Sequence, residues 1–214
     1  MECHICRRTT DSFTDEKTGI VYYHCLECDC MCKSPDCYQP LSEQKSRYDL
    51  HDNNAEDEGY RAYFQRFLDF VLPHAKGVEH ALDFGCGRST LLSDILNSMN
   101  IRCDYYDPIY HPDTLSHSKK YDLIASTEVF EHLHHPKEIF FQLVNMLNPG
   151  GTIAIQTQFH PGDRAQFRQW YYHKDPTHIV FFSVKTFHKL ASAYGCCMVA
   201  DNGKNIVILQ KERS

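Results

Sequence analysis

The feature that most constrains the fold is a glycine turn between a short apolar strand and a helical pattern. An apolar run at residues 81–84 leads into Gly85-Cys86-Gly87, and a helical pattern follows at residues 90–99. Glycines in this place let the backbone approach a ligand at the carboxyl edge of a parallel sheet. A dinucleotide motif would have a third glycine where Thr90 stands, and Asp83 precedes the first glycine. The turn predicts a cradle for a ligand with a positively charged end.

A second carboxylate stands at the end of the next predicted strand. The strand covers residues 102–106 and ends in Asp107-Pro108, some twenty residues after the glycine turn. A carboxylate accepts hydrogen bonds only, so Asp107 suits the two hydroxyls of a ribose. The two features together predict a nucleoside-like ligand.

The rest of the chain alternates short apolar runs with helical patterns. Predicted strands cover residues 81–84, 102–106, 122–126, 152–156, 196–200 and 205–209, and predicted helices cover residues 90–99, 136–147 and 184–194. Such alternation favours an α/β fold with a doubly wound, mostly parallel sheet covered on both faces. The last two strands are expected to form a closing hairpin.

The N-terminal segment holds seven of the 11 cysteines. Cys3, Cys6, Cys25 and Cys28 have the spacing C-x2-C-x18-C-x2-C, which is typical of two knuckles that close on one tetrahedral zinc ion. Four thiolates leave no open position on the metal, so this predicts a structural zinc ribbon. Three further cysteines and a histidine are interpreted as spare groups rather than a second site: Cys30, Cys32, Cys37 and His4.

These patterns divide the chain into three parts. Residues 1–40 form the predicted zinc ribbon, which has too few apolar residues to bury a core without a metal. Residues 41–59 are polar and charged, and are interpreted as a linker and helix entry. Residues 60–214 form the predicted main domain.

Four motifs together resemble class I S-adenosylmethionine-dependent methyltransferases. They are residues 81–92, Asp107, the run from Glu128 to His132 after Tyr121-Asp122-Leu123-Ile124, and Leu147-Asn148-Pro149-Gly150-Gly151-Thr152. The resemblance implies a Rossmann-like sheet of seven strands and S-adenosylmethionine as cofactor. It also implies that Asp83, Gly85 and Gly87 line the methionine part and that Asp107 holds the ribose. Cys86 and Glu128 complete the predicted cofactor-binding set.

Within that class the chain is similar to the quinone-biosynthesis O-methyltransferases. Leu50-His51 followed by Asn54 is similar to the segment before their first helix, and Thr177-His178 followed by Phe181 or Phe182 is similar to a late segment. They carry a motif like the E-x-x-E-H of Glu128, Glu131 and His132. This likeness favours a divalent ion, such as magnesium, at those three residues.

The same three residues are the predicted catalytic group. If the chain turns helical after Thr127, Glu128, Glu131 and His132 project from one face. His132 would then accept a proton from a hydroxyl, or all three would bind a metal ion. In the alternative interpretation, the two acids only favour a helix start and His132 is a solvated surface residue.

An aromatic cluster at residues 170–178 follows the fifth strand, where such folds build a lid over the substrate. Its rings would stack on an acceptor, or would simply cover the sheet. His178, favoured over His173 by the resemblance, is expected to face His132 across the cleft as a catalytic residue.

A net charge of −6 argues against clamping long nucleic acids, which needs clustered Lys and Arg. We therefore expect a small-molecule acceptor, methylated on a hydroxyl oxygen. An RNA methyltransferase that grips nucleic acid through the ribbon is one alternative, and a non-catalytic interaction protein with a vestigial cofactor domain is another. No apolar run reaches about 18 residues and no secretory signal is visible, so a soluble, cytoplasmic protein in a reducing compartment is expected.

Overall fold

The structure is a computed structural model that describes residues 1–40, 43, 45, 49, 58–113, 115 and 118–213. The strands are β1 (Asp11–Thr14), β2 (Val21–His24), β3 (Met31–Lys33), β4 (His80–Phe84), β5 (Arg102–Tyr106), β6 (Tyr121–Thr127), β7 (Leu147–Gln156), β8 (Val180–Phe181), β9 (Cys196–Asp201) and β10 (Ile206–Lys211). The α-helices are α1 (Glu58–Val71), α2 (Leu91–Ser98), α3 (Pro136–Met146), α4 (Arg164–Gln169) and α5 (Val184–Ser192). Short 3-10 turns cover Pro35–Cys37, Phe130–His132 and Tyr172–Lys174.

The central sheet is mixed and mostly parallel, with strand order β5-β4-β6-β7-β10-β9. The pairs β5–β4, β4–β6 and β6–β7 are parallel, and β10 is antiparallel to both β7 and β9. The sheet therefore has the α/β architecture predicted from the alternating pattern, and its hairpin closes it as expected.

The described sheet has six strands, whereas the resemblance implied seven. β5 is its edge, and the chain turns back directly after it. The Asp107 Oδ1 atom accepts hydrogen bonds from the amides of Ile109 and Tyr110, and Asp107 forms a short antiparallel bridge with His111. A chain that reverses here does not continue into a further edge strand within the described residues.

Helices cover both faces of the sheet. On one face α1 and α2 bury Phe67, Leu68 and Leu92 against sheet residues such as Leu123. On the other face the helices α3 and α5 pack against sheet residues such as Ile153. Each fully buried large apolar side chain contributes about 1.5–3 kcal/mol, so both layers are stable coverings.

The N-terminal segment, residues 1–40, forms an antiparallel ribbon that is continued by the main part of the chain. Its sheet has the order β1-β2-β3-β8, and β3 pairs with β8 through Met31 opposite Phe181 and Cys32 opposite Val180. The ribbon thus shares one sheet with a strand from the predicted main domain.

Most of the predicted linker, residues 41–59, lies outside the described residues, as do Leu50, His51 and Asn54 of the resemblance. Among the described helices, none combines the length and apolar character needed to cross a bilayer.

Candidate active site

A cleft of about 1490 Å³ opens at the carboxyl ends of β4, β5 and β6. One wall is the glycine turn after β4 together with the segment after β5, and the opposite wall is the end of β6 with the aromatic segment before β8. Helix α1 closes a third side. The predicted cofactor residues and three of the four predicted catalytic residues, Glu128, His132 and His178, therefore line one cavity, whereas Glu131 is fully buried and does not line it.

The glycine turn is held in a conformation that only glycine adopts easily. Gly85 and Gly87 have φ angles of +82° and +65°. The amides of Gly85 and Cys86 donate to the Tyr106 carbonyl at 2.7 and 3.1 Å, which fixes the turn to the end of β5. Backbone, rather than side chains, forms this surface of the cleft.

Asp107 ties the two neighbouring loops together. Its Oδ2 accepts from the Gly87 amide at 3.1 Å, and its Oδ1 accepts from the Ile109 and Tyr110 amides at 2.8 and 3.0 Å. Each carboxylate oxygen has two lone pairs, so acceptor capacity is left for a ligand in the cleft. Sequence reasoning predicted the ligand contact and missed this role in the backbone.

Asp83 lies in the wall of the cleft and is only 2% exposed. Burial, and then the charge of Asp107, raise the pKa of Asp83 to about 8. Cys86 in the adjacent turn lines the cleft too, and burial followed by the charge of Asp83 raises the pKa of its thiol. A ligand with a positive group would stabilise the ionised form of Asp83.

Two glutamates meet on one tyrosine hydroxyl on the opposite wall. Tyr172 OH lies 2.8 Å from Glu128 Oε2 and 2.5 Å from Glu131 Oε1. Glu128 reaches this position because its φ is +54°, so the chain does not turn helical directly after Thr127 as expected. Only the 3-10 turn Phe130–His132 follows. The two acids therefore converge from a strand end and a short turn, rather than from one helix face.

One hydroxyl proton cannot serve two carboxylates at once. Burial, followed by the charge of Glu131, raises the pKa of Glu128 to about 8, and burial also raises the pKa of Glu131. Burial and the same two carboxylates raise the pKa of Tyr172. The pair therefore retains a proton near neutral pH, which suits it to acid–base chemistry.

His132 and His178 lie side by side, with ring centroids 4.8 Å apart. His132 Nδ1 donates to the Thr177 carbonyl at 3.0 Å, and His178 Nδ1 donates to the Tyr172 carbonyl at 2.9 Å. A carbonyl only accepts, so Nδ1 carries a proton in both rings, and the neutral form of each ring has its acceptor nitrogen at Nε2. Burial, and then His132, lower the pKa of His178 to about 3, which keeps it neutral.

Glu131, His132 and His178 form a possible metal site. One ligand atom from each lies within 4.8 Å of the others, and Glu131 Oε2 is buried with no hydrogen-bond partner in the described part of the chain. Two imidazoles and a carboxylate suit a divalent transition metal. The predicted set had Glu128 in place of His178, but Glu128 is held by Tyr172 outside this group. Glu131 is 0% exposed and the His132 side chain 18% exposed, so neither is a solvated surface group.

The four predicted zinc ligands also converge. Their Sγ atoms all lie within 4.8 Å of one another, with Cys3 to Cys28 and Cys6 to Cys25 both at 3.4 Å. The knuckles match, because the residue after each second cysteine, Arg7 or Asp29, has a φ near +60° (61° and 60°). A Zn–S distance of about 2.3 Å requires sulfurs roughly 3.8 Å apart, close to this arrangement. Cys30, Cys32 and Cys37 are not part of the group.

Two residues of the aromatic segment make contacts that the sequence did not indicate. The sequence predicts that the Tyr172 ring stacks on an acceptor or covers the sheet, whereas its hydroxyl holds the acid pair. His173 does not line the cleft, and its Nδ1 accepts from the Tyr22 hydroxyl of the ribbon at 2.9 Å. A buried acid pair needs a donor, which is the one signal that could have indicated a nearby tyrosine.

Comparison with known proteins identifies the fold. The sequence profile described as "Methyltransferase domain" matches residues 56–200. A search of curated proteins found no significant match.

Several solved structures are similar in fold. An O-methyltransferase family protein from Burkholderia thailandensis has a TM-score of 0.56 at 15% identity, over 80% of this chain and 63% of that chain, so this chain spans under two thirds of its length. The 1,6-didemethyltoxoflavin-N1-methyltransferase of the same organism, solved with bound 1,6-didemethyltoxoflavin and S-adenosylhomocysteine, has a TM-score of 0.60 at 12% identity, over 88% of this chain and 98% of that chain. N-methyltransferase NodS from Bradyrhizobium japonicum WM9, solved with S-adenosylhomocysteine, has a TM-score of 0.52 at 13% identity, over 79% and 97%.

Proposed function

The chain belongs to the family of methyltransferase domains, and from this premise we propose that it moves a methyl group from S-adenosylmethionine to a hydroxyl oxygen of a small molecule. One observation carries the proposal. The glycine turn and the pair His132–His178 line the same cleft, so a cofactor on one wall and an acceptor on the other would meet.

The wall around the glycine turn fits the cofactor. Asp83 presents a buried carboxylate to the positive end of the methionine part, and Gly85, Cys86 and Gly87 offer a backbone surface without bulky side chains. Asp107 retains acceptor capacity for ribose hydroxyls. When bound, S-adenosylmethionine supplies a methyl group activated by a positive sulfur. The protein contributes orientation and, for a hydroxyl acceptor, a base.

His132 is the proposed base. In the neutral ring, the bond from Nδ1–H to the Thr177 carbonyl leaves Nε2 as the nitrogen that takes up a proton, and the same carbonyl stabilises the ring once it gains that proton. His178 presents a second neutral Nε2 beside it, which would accept a hydrogen bond from a further donor group of the acceptor and so orient that molecule. Glu128 and Glu131, which share the Tyr172 hydroxyl, are proposed to accept protons from the histidines and to balance the charge that forms on them.

The same donor atoms fit a divalent ion. Glu131, His132 and His178 would hold it, and the orphaned Glu131 Oε2 is the observation that supports it. Such an ion lowers the pKa of a bound hydroxyl, so it would serve the same acceptor chemistry as a base. Magnesium, manganese and zinc are the ions to test, with the imidazoles favouring the latter two.

A small-molecule acceptor is supported over nucleic acid by charge and placement. The chain carries a net charge of −6, so it lacks the excess of Lys and Arg that binding a phosphate backbone needs. The ribbon's strand β3 pairs with β8 instead of extending outward as a separate gripping module. An intact glycine turn with Asp83 and Asp107 argues against a vestigial domain.

We propose that Cys3, Cys6, Cys25 and Cys28 hold one zinc ion as a purely structural centre, since four thiolates would complete its coordination. A reducing compartment such as the cytoplasm would keep these four thiols available for the metal ion.

The proposal is tested by incubating the purified protein with isotopically labelled S-adenosylmethionine and pooled metabolites. Mass spectrometry should find a hydroxyl compound that gains one labelled methyl group, and RNA in a parallel incubation should gain none. Labelled RNA without a labelled metabolite would establish the nucleic-acid alternative. If calorimetry detects no cofactor binding, the alternative of a non-catalytic protein with a vestigial cofactor domain would be established.

A further inference from the structure

The N-terminal ribbon reaches the proposed acceptor site through one buried lysine. We infer that Lys33 is a positioning residue, through which the ribbon fixes the orientation of His132 and Glu131 for methyl transfer. This inference rests on the proposed function and assigns the ribbon a part in it that goes beyond holding a zinc ion.

The first connection runs through the backbone. The Lys33 amide donates to the Ile179 carbonyl at 2.9 Å, and the Ile179 amide donates to the Glu131 carbonyl at 2.8 Å. The peptide planes are rigid, so one residue, Ile179, links strand β3 of the ribbon directly to the turn that carries Glu131. This residue also follows His178 in the chain.

The second connection runs through hydrogen bonds between side chains and the backbone of residues 175–177. Lys33 Nζ donates to the Asp175 carbonyl at 2.5 Å. The Asp175 carboxylate accepts from the Thr177 amide and hydroxyl at 2.9 and 2.7 Å, and the Thr177 carbonyl accepts from His132 Nδ1 at 3.0 Å. Lys33, Asp175, Thr177 and His132 thus form one continuous series, and its last bond selects the tautomer of the base.

The burial of Lys33 argues against a role limited to mechanical support of the loop. The residue is 1% exposed, and burying an ammonium group is expensive unless it is well hydrogen-bonded. An apolar residue would support the loop without the desolvation cost of a buried charge. The Lys33 ammonium lies 6.0 Å from the Phe181 ring centre, and its charge is a minor contributor, after burial, to the lowered pKa of His178.

The ribbon also packs around the lid. Phe13, Tyr22 and Met31 of the ribbon form one buried cluster with Phe181 and Tyr172, whose hydroxyl holds the acid pair. The ribbon therefore packs against the residue that holds the acid pair, in addition to its hydrogen bonds with Ile179 and Asp175. Losing the Lys33 contacts should disturb the acceptor half and leave cofactor binding unchanged.

The experiment uses the full chain with Lys33→Met, which keeps the length and removes the charge and donor. The matched control is Lys185→Met, because Lys185 also donates to a ribbon carbonyl, that of Leu26 at 3.0 Å, but lies at the surface. Proton–nitrogen NMR on histidine-labelled protein follows the His132 Nδ1–H signal, assigned by its absence in His132→Ala. Calorimetry with S-adenosylhomocysteine measures the cofactor site.

In Lys33→Met we expect the His132 Nδ1–H signal to be lost or moved, kcat to fall about 10-fold to 10²-fold, and the dissociation constant of S-adenosylhomocysteine to stay within about 2-fold. Lys185→Met should match the wild type throughout. Asp175→Ala should reproduce the loss, and the double variant with Lys33→Met should be no worse than the stronger single one, because both act on one series.

An unchanged His132 signal and kcat in Lys33→Met would overturn the inference, as would a parallel loss of cofactor affinity, which would mark a general loss of structure. If Lys33→Met fails to fold, Asp175→Ala decides on the same readouts. The NMR and binding measurements need no turnover. If the wild type methylates no acceptor but Lys33→Met still shows the expected NMR change, the proposed function is refuted and the positioning role of Lys33 remains.

Discussion

The backbone of Gly85 lies directly against the side chain of Val129, so closely that a Cβ on Gly85 would stand 2.3 Å from Val129 Cγ2. The turn of one wall of the cleft is therefore packed against the segment that carries the acids of the other. This contact fixes the distance between the proposed cofactor site and the proposed acceptor site.

Gly85→Ala should therefore destabilise the protein and abolish cofactor binding. The φ of +82° alone costs about 1–2 kcal/mol for a residue with a Cβ, and the clash with Val129 adds about 1–3 kcal/mol. Urea unfolding measures the loss of stability, and calorimetry with S-adenosylhomocysteine measures binding. Gly77→Ala is the control, since its φ is +70° but nothing lies within 4 Å of the added Cβ.

Gly77→Ala should show only the smaller, conformational loss and normal binding. Adding Val129→Ala to Gly85→Ala should recover part of the stability by relieving the clash. Equal stability of Gly85→Ala and Gly77→Ala would contradict the packing described for the turn.

The buried carboxyl of Asp83 should make both stability and cofactor affinity depend on pH. Its pKa is about 8 in the folded protein and near 4 in an unfolded chain, so between these values the folded state holds a proton that the unfolded state has released. The free energy of unfolding should fall as pH rises through this window, by up to about 1.4 kcal/mol per pH unit from this group. The titratable neighbours in the same environment are Tyr60, Cys86, Cys103 and Asp107.

Binding of a positively charged cofactor should show the opposite trend, because the cation favours ionised Asp83. Affinity should rise from pH 6 to pH 8, with proton release visible as a dependence of the calorimetric heat on the buffer. In Asp83→Asn the slope of stability against pH should decrease and the proton release should vanish. Identical pH profiles for the variant and the wild type would remove Asp83 from the cofactor site.

The ribbon should contain one zinc ion per chain. Cys25→Ser should lose the metal and destabilise the ribbon, because Cys25 lies in the group of four thiols, whereas Cys37→Ser should keep it, because Cys37 lies outside. Elemental analysis of the purified variants measures the stoichiometry. Metal loss in Cys37→Ser with retention in Cys25→Ser would refute the ligand set.

The sequence predicted those parts of the structure that have a local signal. All six strands of the central sheet follow from short apolar runs between helical patterns, and the cysteine spacing alone brought together Cys3, Cys6, Cys25 and Cys28. The meeting of His132 and His178 followed from placing a strand end and a later loop at one edge of the sheet.

Other parts depend on contacts that leave no local pattern. The pairing of β3 with β8 joins two very short strands that are far apart in sequence, so no periodicity indicates it. Glu128 adopts a positive φ although it is not glycine, and this ends the helix that the E-x-x-E-H spacing predicted. The roles of Tyr172 and Lys33 arise only from what surrounds them once the chain is folded.

The acceptor site gives the last prediction, which concerns His132. His132→Ala should reduce turnover about 10²-fold or more, the scale of a lost general base, with cofactor affinity nearly unchanged. The physical reason is that the His132 ring lies in the cleft beside His178, with Nε2 as the acceptor nitrogen of its neutral form, whereas the proposed cofactor residues belong to the turn after β4 and the end of β5. His188→Ala on the exposed side of α5 is the control and should leave turnover unchanged.

If Glu131, His132 and His178 bind a metal ion, a chelator should abolish activity and added manganese or magnesium should restore it. The zinc content of the ribbon must be measured in the same samples, since its loss would disturb the site through β3. Full activity in His132→Ala would remove this histidine from the reaction and leave Glu131 and His178 to be tested in its place.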